Sequence, residues 1–367
     1  MTEWRECKLG DVITFQRGYD LPKDKMVRGI YPVVASNGII GFHNEYTTEN
    51  PCVTIGRSGN VGNPNIVYSR AWAHNTTLYI REYKNCDPVF IYYMLHTLDL
   101  GRYASGSAVP TLNRNHIHSI LISMPPLPEQ KAIAEVLSSL DDKIDLLTRQ
   151  NKTLEDLAQA YFRKWFIEDA SDEWEVGKLG DFVEVIDNRG KTPPYQDIPT
   201  EYPIIEVKSI SGDNRFIDYQ KCEKFVLEST YKTWFRGYIK PLDVLVSTVG
   251  SVGEIAQVLL EHGVIAQNVI GLRSKGTSPY HLFEYMKYMK NEIKELDIGS
   301  VQPSIKVPHL LSLQYVKPDR DSLRKFDDFS KELVNKMISN FMQIQTLQKL
   351  RDTLLPKLIS GEIRVKM

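Results

Sequence analysis

Three sets of residues in this chain have types and spacings from which chemistry could be built. The first is Asp197 followed by Glu206-Val207-Lys208. Two carboxylates and a lysine can hold Mg²⁺ and activate water for phosphodiester hydrolysis, so a cryptic metal-dependent nuclease is the alternative against which other readings are weighed. The second is the loop Gly56-Arg57-Ser58-Gly59-Asn60-Val61-Gly62. It gathers a guanidinium fork, a hydroxyl and an amide, among glycines that let backbone approach a ligand closely. The third is Asn188-Arg189-Gly190-Lys191 with Lys208 and Ser209, a basic, glycine-containing set of the phosphate-clamp type. Eight histidines have no zinc-ligand spacing, and His116-x-His118 reads as polar surface or strand residues. The motif Gly-x-x-x-x-Gly-Lys-Ser/Thr is missing, so no ATP site is indicated.

The elements that position these residues belong to a chain of 367 residues, comfortable for two domains. Lys+Arg number 45 against 46 Asp+Glu, which excludes a wholly electrostatic nucleic-acid coat. Residues 1–125 hold 12 basic against 10 acidic side chains and residues 170–318 hold 17 against 20, so no globular piece is strongly basic. Affinity from counterion release is therefore expected to be modest for this chain alone. Four scattered cysteines (Cys7, Cys52, Cys86, Cys222) suit a reducing compartment. No apolar run approaches the ~20 residues a bilayer requires. A soluble cytoplasmic protein without membrane contact is expected.

The architecture follows from an internal repeat. Trp4-Arg-Glu-Cys-Lys-Leu-Gly-Asp-Val12 recurs as Trp174-Glu-Val-Gly-Lys-Leu-Gly-Asp-Phe182, and Pro32-Val-Val as Pro203-Ile-Ile. Gly59-Asn-Val-Gly62 recurs as Gly250-Ser-Val-Gly253, and Gly106-Ser-Ala-Val-Pro-Thr-Leu112 as Gly299-Ser-Val-Gln-Pro-Ser-Ile305. Four matches in one order mark a duplication. The offset grows between the second and third matches, so the second copy carries an insertion between Ser209 and Thr248. The strand equivalent to Pro203-Ile-Ile-Glu206 is Pro32-Val-Val-Ala35, which has no carboxylate; the nuclease-like set thus has a structural explanation.

Short β-type runs between turn residues (Tyr31–Ala35, Cys52–Ile55, Thr76–Ile80, Ile120–Ser123, Pro203–Val207, Asp243–Ser247, Val269–Leu272) predict mixed or antiparallel sheet. One amphipathic helix is expected in each half, around Pro88–Leu100 and Pro279–Leu296. After Pro125-Pro126-Leu127-Pro128 the texture changes to one long helix, Glu129 to Phe166, with Ile133, Leu140, Leu147, Leu154 and Tyr161 every seven residues. From Asp319 a second helix carries Phe326, Leu333, Leu347 and Leu354, its seam interrupted by Asn340 and its pattern unbroken until Pro356. Stripes that long must be buried, and each helix is the obvious partner of the other, antiparallel, with the globular domains at opposite ends. The predicted class is α+β: two homologous mixed α/β domains (1–125 and 170–317) separated by two long helices (126–169 and 318–367) packed as an antiparallel coiled coil in a pseudo-two-fold repeat.

This chain resembles the specificity subunit of a type I restriction–modification system. The resemblance covers essentially the whole chain. It rests on the repeated Trp-x-x-x-Lys-Leu-Gly-Asp opening, Pro125-Pro-Leu-Pro-Glu-Gln-Lys131, Leu157-Ala-Gln-Ala-Tyr-Phe-Arg-Lys-Trp-Phe166 and the closing Leu354-Leu-Pro-Lys-Leu-Ile-Ser-Gly-Glu-Ile-Arg364. The second helix departs from the pattern, beginning Lys317-Pro-Asp-Arg-Asp. The resemblance implies a non-catalytic reader of double-stranded DNA, in which each target-recognition domain reads one half of a bipartite, asymmetric site. The helices set the spacer and dock two modification (methyltransferase) subunits; restriction (translocase/nuclease) subunits join them. No cofactor is expected on this chain, since S-adenosylmethionine, ATP and Mg²⁺ belong to those partners.

Read in that light, the glycine loops become candidate DNA contacts: Arg57, Ser58 and Asn60 in the first half, Thr248 and Ser251 in the second, where the arginine is missing. Ser107, Thr111, Asn113 and Arg114, with their counterparts Ser300, Gln302, Ser304 and Lys306, suit either backbone positioning or a structural turn. His74-Asn75 and Gln267-Asn268 precede equivalent strands, and Arg189, Lys191 and Lys208 supply positive charge. Trp234-Phe235-Arg236 in the insertion reads as either a specificity element or core, with core favoured. Thr192-Pro-Pro-Tyr195 is similar to the Asn/Asp-Pro-Pro-Tyr/Phe motif of adenine methyltransferases, but threonine lacks the side-chain carbonyl that chemistry needs, and no glycine-rich methyl-donor turn accompanies it.

Overall fold

The repeat in the sequence is a repeat of topology. The computed structural model describes residues 4–106, 110–212, 214–299 and 301–366. These fall into two units, one spanning Met1–Leu146 with Gln343–Met367 and the other Leu147–Met342.

In the first unit β1 (Arg5–Lys8) leads through the turn α1 (Leu9–Val12) into β2 (Ile13–Arg17). There follow β3 (Tyr31–Ala35), β4 (Gly38–His43), β5 (Cys52–Gly56), β6 (Pro64–Val67), β7 (Trp72–Ala73) and β8 (Thr77–Tyr83). An antiparallel sheet runs β2-β8-β5-β6, while β3 pairs antiparallel with β4 and parallel with β7. After α2 (Pro88–Thr97), β9 (Ala104–Ser105), β10 (Thr111–Leu112) and α3 (Arg114–His118), β11 (Leu121–Met124) returns to pair with β1. α4 (Leu127–Arg163) then begins.

The second unit repeats this plan with β12 (Glu175–Lys178), β13 (Val183–Ile186), β14 (Ile204–Ile205), α5 (Val207–Ile210), α6 (Glu228–Trp234), β15 (Val244–Ser247), β16 (Ile255–Gln257), β17 (Val264–Ile265) and β18 (Val269–Ser274). Then come α7 (Pro279–Tyr288), α8 (Lys290–Glu295), α9 (Val307–Leu311), β19 (Gln314–Lys317) and α10 (Arg320–Ser360). Its sheet order, β13-β18-β15-β16, matches the first, and β12 pairs with β19 as β1 does with β11. The parallel pair β14·β17 answers β3·β7.

The shared motifs have mechanical explanations. In Lys-Leu-Gly-Asp the leucine is core (Leu9, Leu179, both fully buried) and the aspartate closes the turn, accepting from Lys8 N and Lys178 N at 2.9 Å in both copies. The opening tryptophans donate Nε1–H to a carboxylate at the start of the long helices: Trp4 to Glu129 in the first turn of α4 at 3.2 Å, Trp174 to Asp319 just before α10 at 3.0 Å. Asp319 thus takes over from Glu129 where the second copy departs from Pro-Leu-Pro-Glu-Gln. Gln130, also buried, accepts from Asp87 N and donates to Pro125 O, fastening α4 to the start of α2.

Three elements differ from expectation. The run Pro203–Val207 is strand only at Ile204–Ile205, because Ser209 N bonds back to Glu206 O and starts a helical turn. The helix expected over Pro279–Leu296 breaks at Met289 into α7 and α8. α10 runs through Pro356 to Ser360; the missing N–H is tolerated where Leu358 and Ile359 are held in the first unit's core.

Each long helix contributes to both units, and within each unit the α4 and α10 segments run antiparallel. In the first, Asp141 accepts from Arg351 at 2.7 Å, and Glu129 near the start of α4 meets Arg364 beyond the end of α10. In the second, Asn151 meets Asn340, Tyr161 packs at a tilt against Phe329 and Trp165 meets Phe326 edge to face. Ile133 lies in the first unit's core and Phe326 in the second's; Leu147 is buried, Leu140, Leu154, Leu333, Leu347 and Leu354 half-buried, and Tyr161 partly exposed. Asn340 is fully buried, its Nδ2 donating to Asn151 Oδ1 at 2.9 Å while Asn151 donates to Met337 O at 3.2 Å. The interruption in the apolar seam is a matched polar pair, a device that disfavours slipped registers.

A buried ion cluster fastens the second domain to α4. Arg215, from the insertion, donates Nη1 to Glu155 (2.9 Å) and Glu284 (2.6 Å) and Nε to Gln257 (2.9 Å), with its guanidinium over the Phe283 ring. Burial works against the arginine's charge, but the two carboxylates outweigh it and hold its pKa above the usual value. Burial likewise pushes Glu284 up, against the pull of Arg215. Nothing in the sequence marked these residues, because a buried arginine and a surface arginine look alike. Among the described residues no helix is long and apolar enough to cross a membrane.

Candidate nucleic-acid interface

One end of each four-stranded sheet collects most of the candidate residues. In the first unit β2 and β5 end on either side of the start of β8. Gly18 N and Arg57 N donate to Thr77 O (3.1 Å) and Thr76 O (2.7 Å), which sets Arg17 and Arg57 at this end. The turn Arg57–Gly62 is compact: a side chain on Gly56 would sit 1.7 Å from Asn60 O, and Gly59 and Gly62 take φ +81° and +80°. Ser58 bridges to Thr111, and Leu112 N bonds Arg57 O at 2.9 Å, so Thr111 and Leu112 brace the turn from outside. His74 Nδ1 and Ser36 N both meet Thr76 Oγ1, while Asn75 donates to Asp20 at 2.5 Å and its carbonyl accepts from Arg57 Nη1 at 3.3 Å. Burial, then the nearby positive charge of Arg17, holds the Arg57 pKa below its usual value.

The second unit builds the same turn with other side chains. Thr248 N donates to Asn268 O (2.7 Å), Ile305 N to Thr248 O (2.8 Å), and Val249 bridges to Ser304. Gly250 and Gly253 repeat the positive φ at +83° and +74°. Where the first unit needs Gly56, the second has Ser247, whose hydroxyl donates to Ser251 O at 2.5 Å and accepts from Glu254 N at 2.8 Å. Gln267 donates to Thr192 Oγ1 at 2.7 Å. The arginine absent from the loop is delivered from the segment after β13: Arg189 Nη1 donates to Thr248 Oγ1 at 3.2 Å.

The structure thus groups Arg57, Ser58, Asn60, His74, Asn75 and Thr111 at one sheet end, and Arg189, Thr248, Ser251, Gln267, Asn268 and Ser304 at the other. Thr248 is a correction: it is fully buried, so its hydroxyl supports Arg189 rather than facing a ligand. Asn113 caps α3, its Oδ1 accepting from Asn115 N at 3.0 Å. Arg114, Gln302 and Lys306 are exposed on or beside the bracing loops. Ser107 and Ser300 lie outside the described residues. In the clamp-like set, Asn188 and Ser209 are buried, and Asn188 spends its amide on Gly237, Ile265 and Arg236 backbone. Lys208 pairs with Glu223 at 2.5 Å; among the described residues no hydrogen bond or ion pair joins Lys191 or Lys208 to the sheet-end group. Phe235 is buried with Trp234 packed beside it, as core. His118 is partly structural, its Nε2 accepting from Phe15 N at 3.1 Å.

The nuclease-like residues are not assembled as a metal site. Glu206 pairs with Lys224 at 2.7 Å, and among the described residues no three His, Cys, Asp or Glu side chains are grouped to hold a metal ion.

Fold and site define a duplicated α+β chain that presents two unlike polar sheet ends. Residues 1–156 and 171–314 match the family described as the type I restriction modification DNA specificity domain, and the chain belongs to that family. It is 28% identical over 305 residues to the type I restriction enzyme MjaIX specificity subunit of Methanocaldococcus jannaschii, covering 76% of this chain and 69% of the relative. With the MjaVIII specificity subunit of the same organism it shares 24% over 406 residues, covering 99% and 94%. The crystal structure of a type I restriction-modification S subunit from M. genitalium has the same fold, with a TM-score of 0.64 at 18% identity, covering 99% of this chain and 96% of that one.

Proposed function

We propose that this chain is the DNA sequence-specificity subunit of a type I restriction–modification enzyme and is itself non-catalytic. Each recognition domain reads one half of a bipartite, asymmetric site in double-stranded DNA. The paired helices set the gap and dock two modification subunits, and restriction subunits complete the assembly. Adenine methylation and ATP-driven cleavage, with S-adenosylmethionine, ATP and Mg²⁺, reside on those partners, in the cytoplasm. One observation supports the reading: a single topology is built twice, and its two equivalent sheet ends carry different polar side chains, Arg57 in one and Arg189 beside Thr248 in the other.

Methylome sequencing of cells expressing the chain with its modification subunit tests it. The expected outcome is one bipartite motif with two different halves, whose gap changes when a heptad is deleted from both helices. An unchanged gap would remove the helices as ruler. Cleavage of DNA by the purified chain with Mg²⁺, abolished by Glu206→Ala, would replace the proposal with the nuclease.

A further inference from the structure

Arg189 is held in place from every side. Its Nε and Nη2 donate to the two oxygens of Asp187 at 2.9 and 2.8 Å, and its Nη1 donates to Thr248 Oγ1 at 3.2 Å. Its backbone is fixed as well. Arg189 N donates to Asp187 Oδ1 at 2.9 Å, Arg189 O accepts from Arg236 Nη2 at 2.5 Å, and the preceding Asn188 is locked by its buried amide. A guanidinium carries five N–H groups. After these bonds, one remains on Nη1 and one on Nη2, a fork on a side chain about a quarter exposed.

That arrangement suits one ligand chemistry better than another. A phosphate is attracted by net positive charge; Asp187 offsets the charge of Arg189 itself, and Arg236, whose Nη2 is bonded to Arg189 O, is the positive group left beside the pair for a phosphate. A guanine edge is neutral and presents two acceptors, O6 and N7, which match an arginine fork whose orientation is fixed beforehand. The equivalent end of the first unit has the opposite character. There Arg57 stands beside Arg17, and among the described residues no carboxylate is hydrogen-bonded to either.

We infer that Arg189 is a base-reading residue that recognises a guanine in the half-site of the second recognition domain, with Asp187 as its positioning residue. The inference rests on the DNA-reading function proposed above. In the second unit the pair Asp187–Arg189 supplies specificity, and phosphate contact falls to other groups.

The test is selection of randomised duplexes by the full chain, compared with Asp187→Asn and Arg189→Lys, together with affinity measured across a salt series. Guanine preference at one position of one half-site is expected to fall about tenfold in Asp187→Asn and to vanish in Arg189→Lys. The slope of log affinity against log salt should stay unchanged in Arg189→Lys and should not fall in Asp187→Asn. A phosphate contact behaves otherwise: Arg189→Lys keeps every base preference, while Asp187→Asn binds all sequences more tightly with a steeper salt slope, and that result overturns the inference. Thermal unfolding of each variant separates loss of fold from loss of reading, and Arg189→Lys, which keeps charge and length, carries the test alone if Asp187→Asn does not fold. A parent chain with no sequence preference anywhere overturns the proposed function and this inference with it; a preference that both variants retain overturns the inference alone.

Discussion

The two units build the same sheet in the same strand order and then treat charge in opposite ways. The first leaves Arg57 and Arg17 near one another at its sheet end, but ties its helices to its domain through partly exposed ions: Asp141 accepts from both Tyr93 and Arg351. The second pairs its sheet-end arginine with Asp187 and buries its helix anchor, Arg215 between Glu155 and Glu284, almost completely. The contrast teaches that duplication preserved the backbone, which glycines and core residues dictate, while the polar groups at equivalent places diverged. A polar side chain on a sheet end is constrained only by what it binds.

The largest test of this contrast is Arg215→Met. It strands two carboxylates in the second unit, at a cost of about 3–5 kcal/mol. Hydrogen exchange should show β15 and β18 losing protection while β5 and β8 keep theirs; loss in both would break the idea that each unit has its own anchor. Adding Glu155→Gln and Glu284→Gln should recover much of the stability. In the first unit, Arg364→Ala leaves the Glu129 carboxylate, on a residue only 1% exposed, with Trp4 as its one side-chain partner among the described residues, and about 2–3 kcal/mol should be lost on denaturant unfolding.

Gly56→Ser installs the second unit's residue in the first. The new Cβ would meet Asn60 O at 1.7 Å, so the turn must open, costing about 1–3 kcal/mol. Half-site binding should fall with it; an unperturbed variant would mean the two turns are interchangeable. Arg57→Ala should weaken binding roughly tenfold through one half-site only, as read by competition with duplexes altered in either half. Equal loss at both halves contradicts modular reading. The smallest effect is expected for Asp319→Asn, about 1 kcal/mol, because the amide keeps the backbone caps on Oδ1 but its NH2 cannot accept from Trp174 and Ser322 Oγ as Oδ2 does. Hydrogen bonds from Ser322 hold Asp319 down to about 2, below its ordinary 3.8. Its contribution is therefore present above pH 3.8 and lost as pH falls through about 2, and the variant should lack that part of the acid-unfolding curve.

Much of this was legible in the sequence because it depends on local rules. Periodicity marked the long helices, and four ordered matches marked the duplication. The insertion was bounded by the change in offset, and positive-φ glycines at 59, 62, 250 and 253 mark one turn made twice. The Asn340 break was visible, although its meaning was not, since its partner Asn151 lies far away in the chain. Thr248 aligns with Arg57, which suggests a ligand-facing hydroxyl, but its complete burial gives it a supporting role instead. Arg215 gave no signal, because an arginine in an irregular insertion looks solvated until its carboxylates are found.

By itself, then, the sequence determined the class: two copies of one α+β domain, two long apolar-striped helices, and glycine turns carrying different polar residues. These follow from hydrophobic period and backbone conformation, which act between near neighbours. Only the tertiary structure decided which polar groups meet. It brought Arg189 to the place where its half lacks an arginine, buried Thr248 beneath it, and set Arg215 between Glu155 and Glu284. Such pairings join residues remote in the chain, and their energies depend on burial and hydrogen-bond geometry that exist only once the sheet has formed.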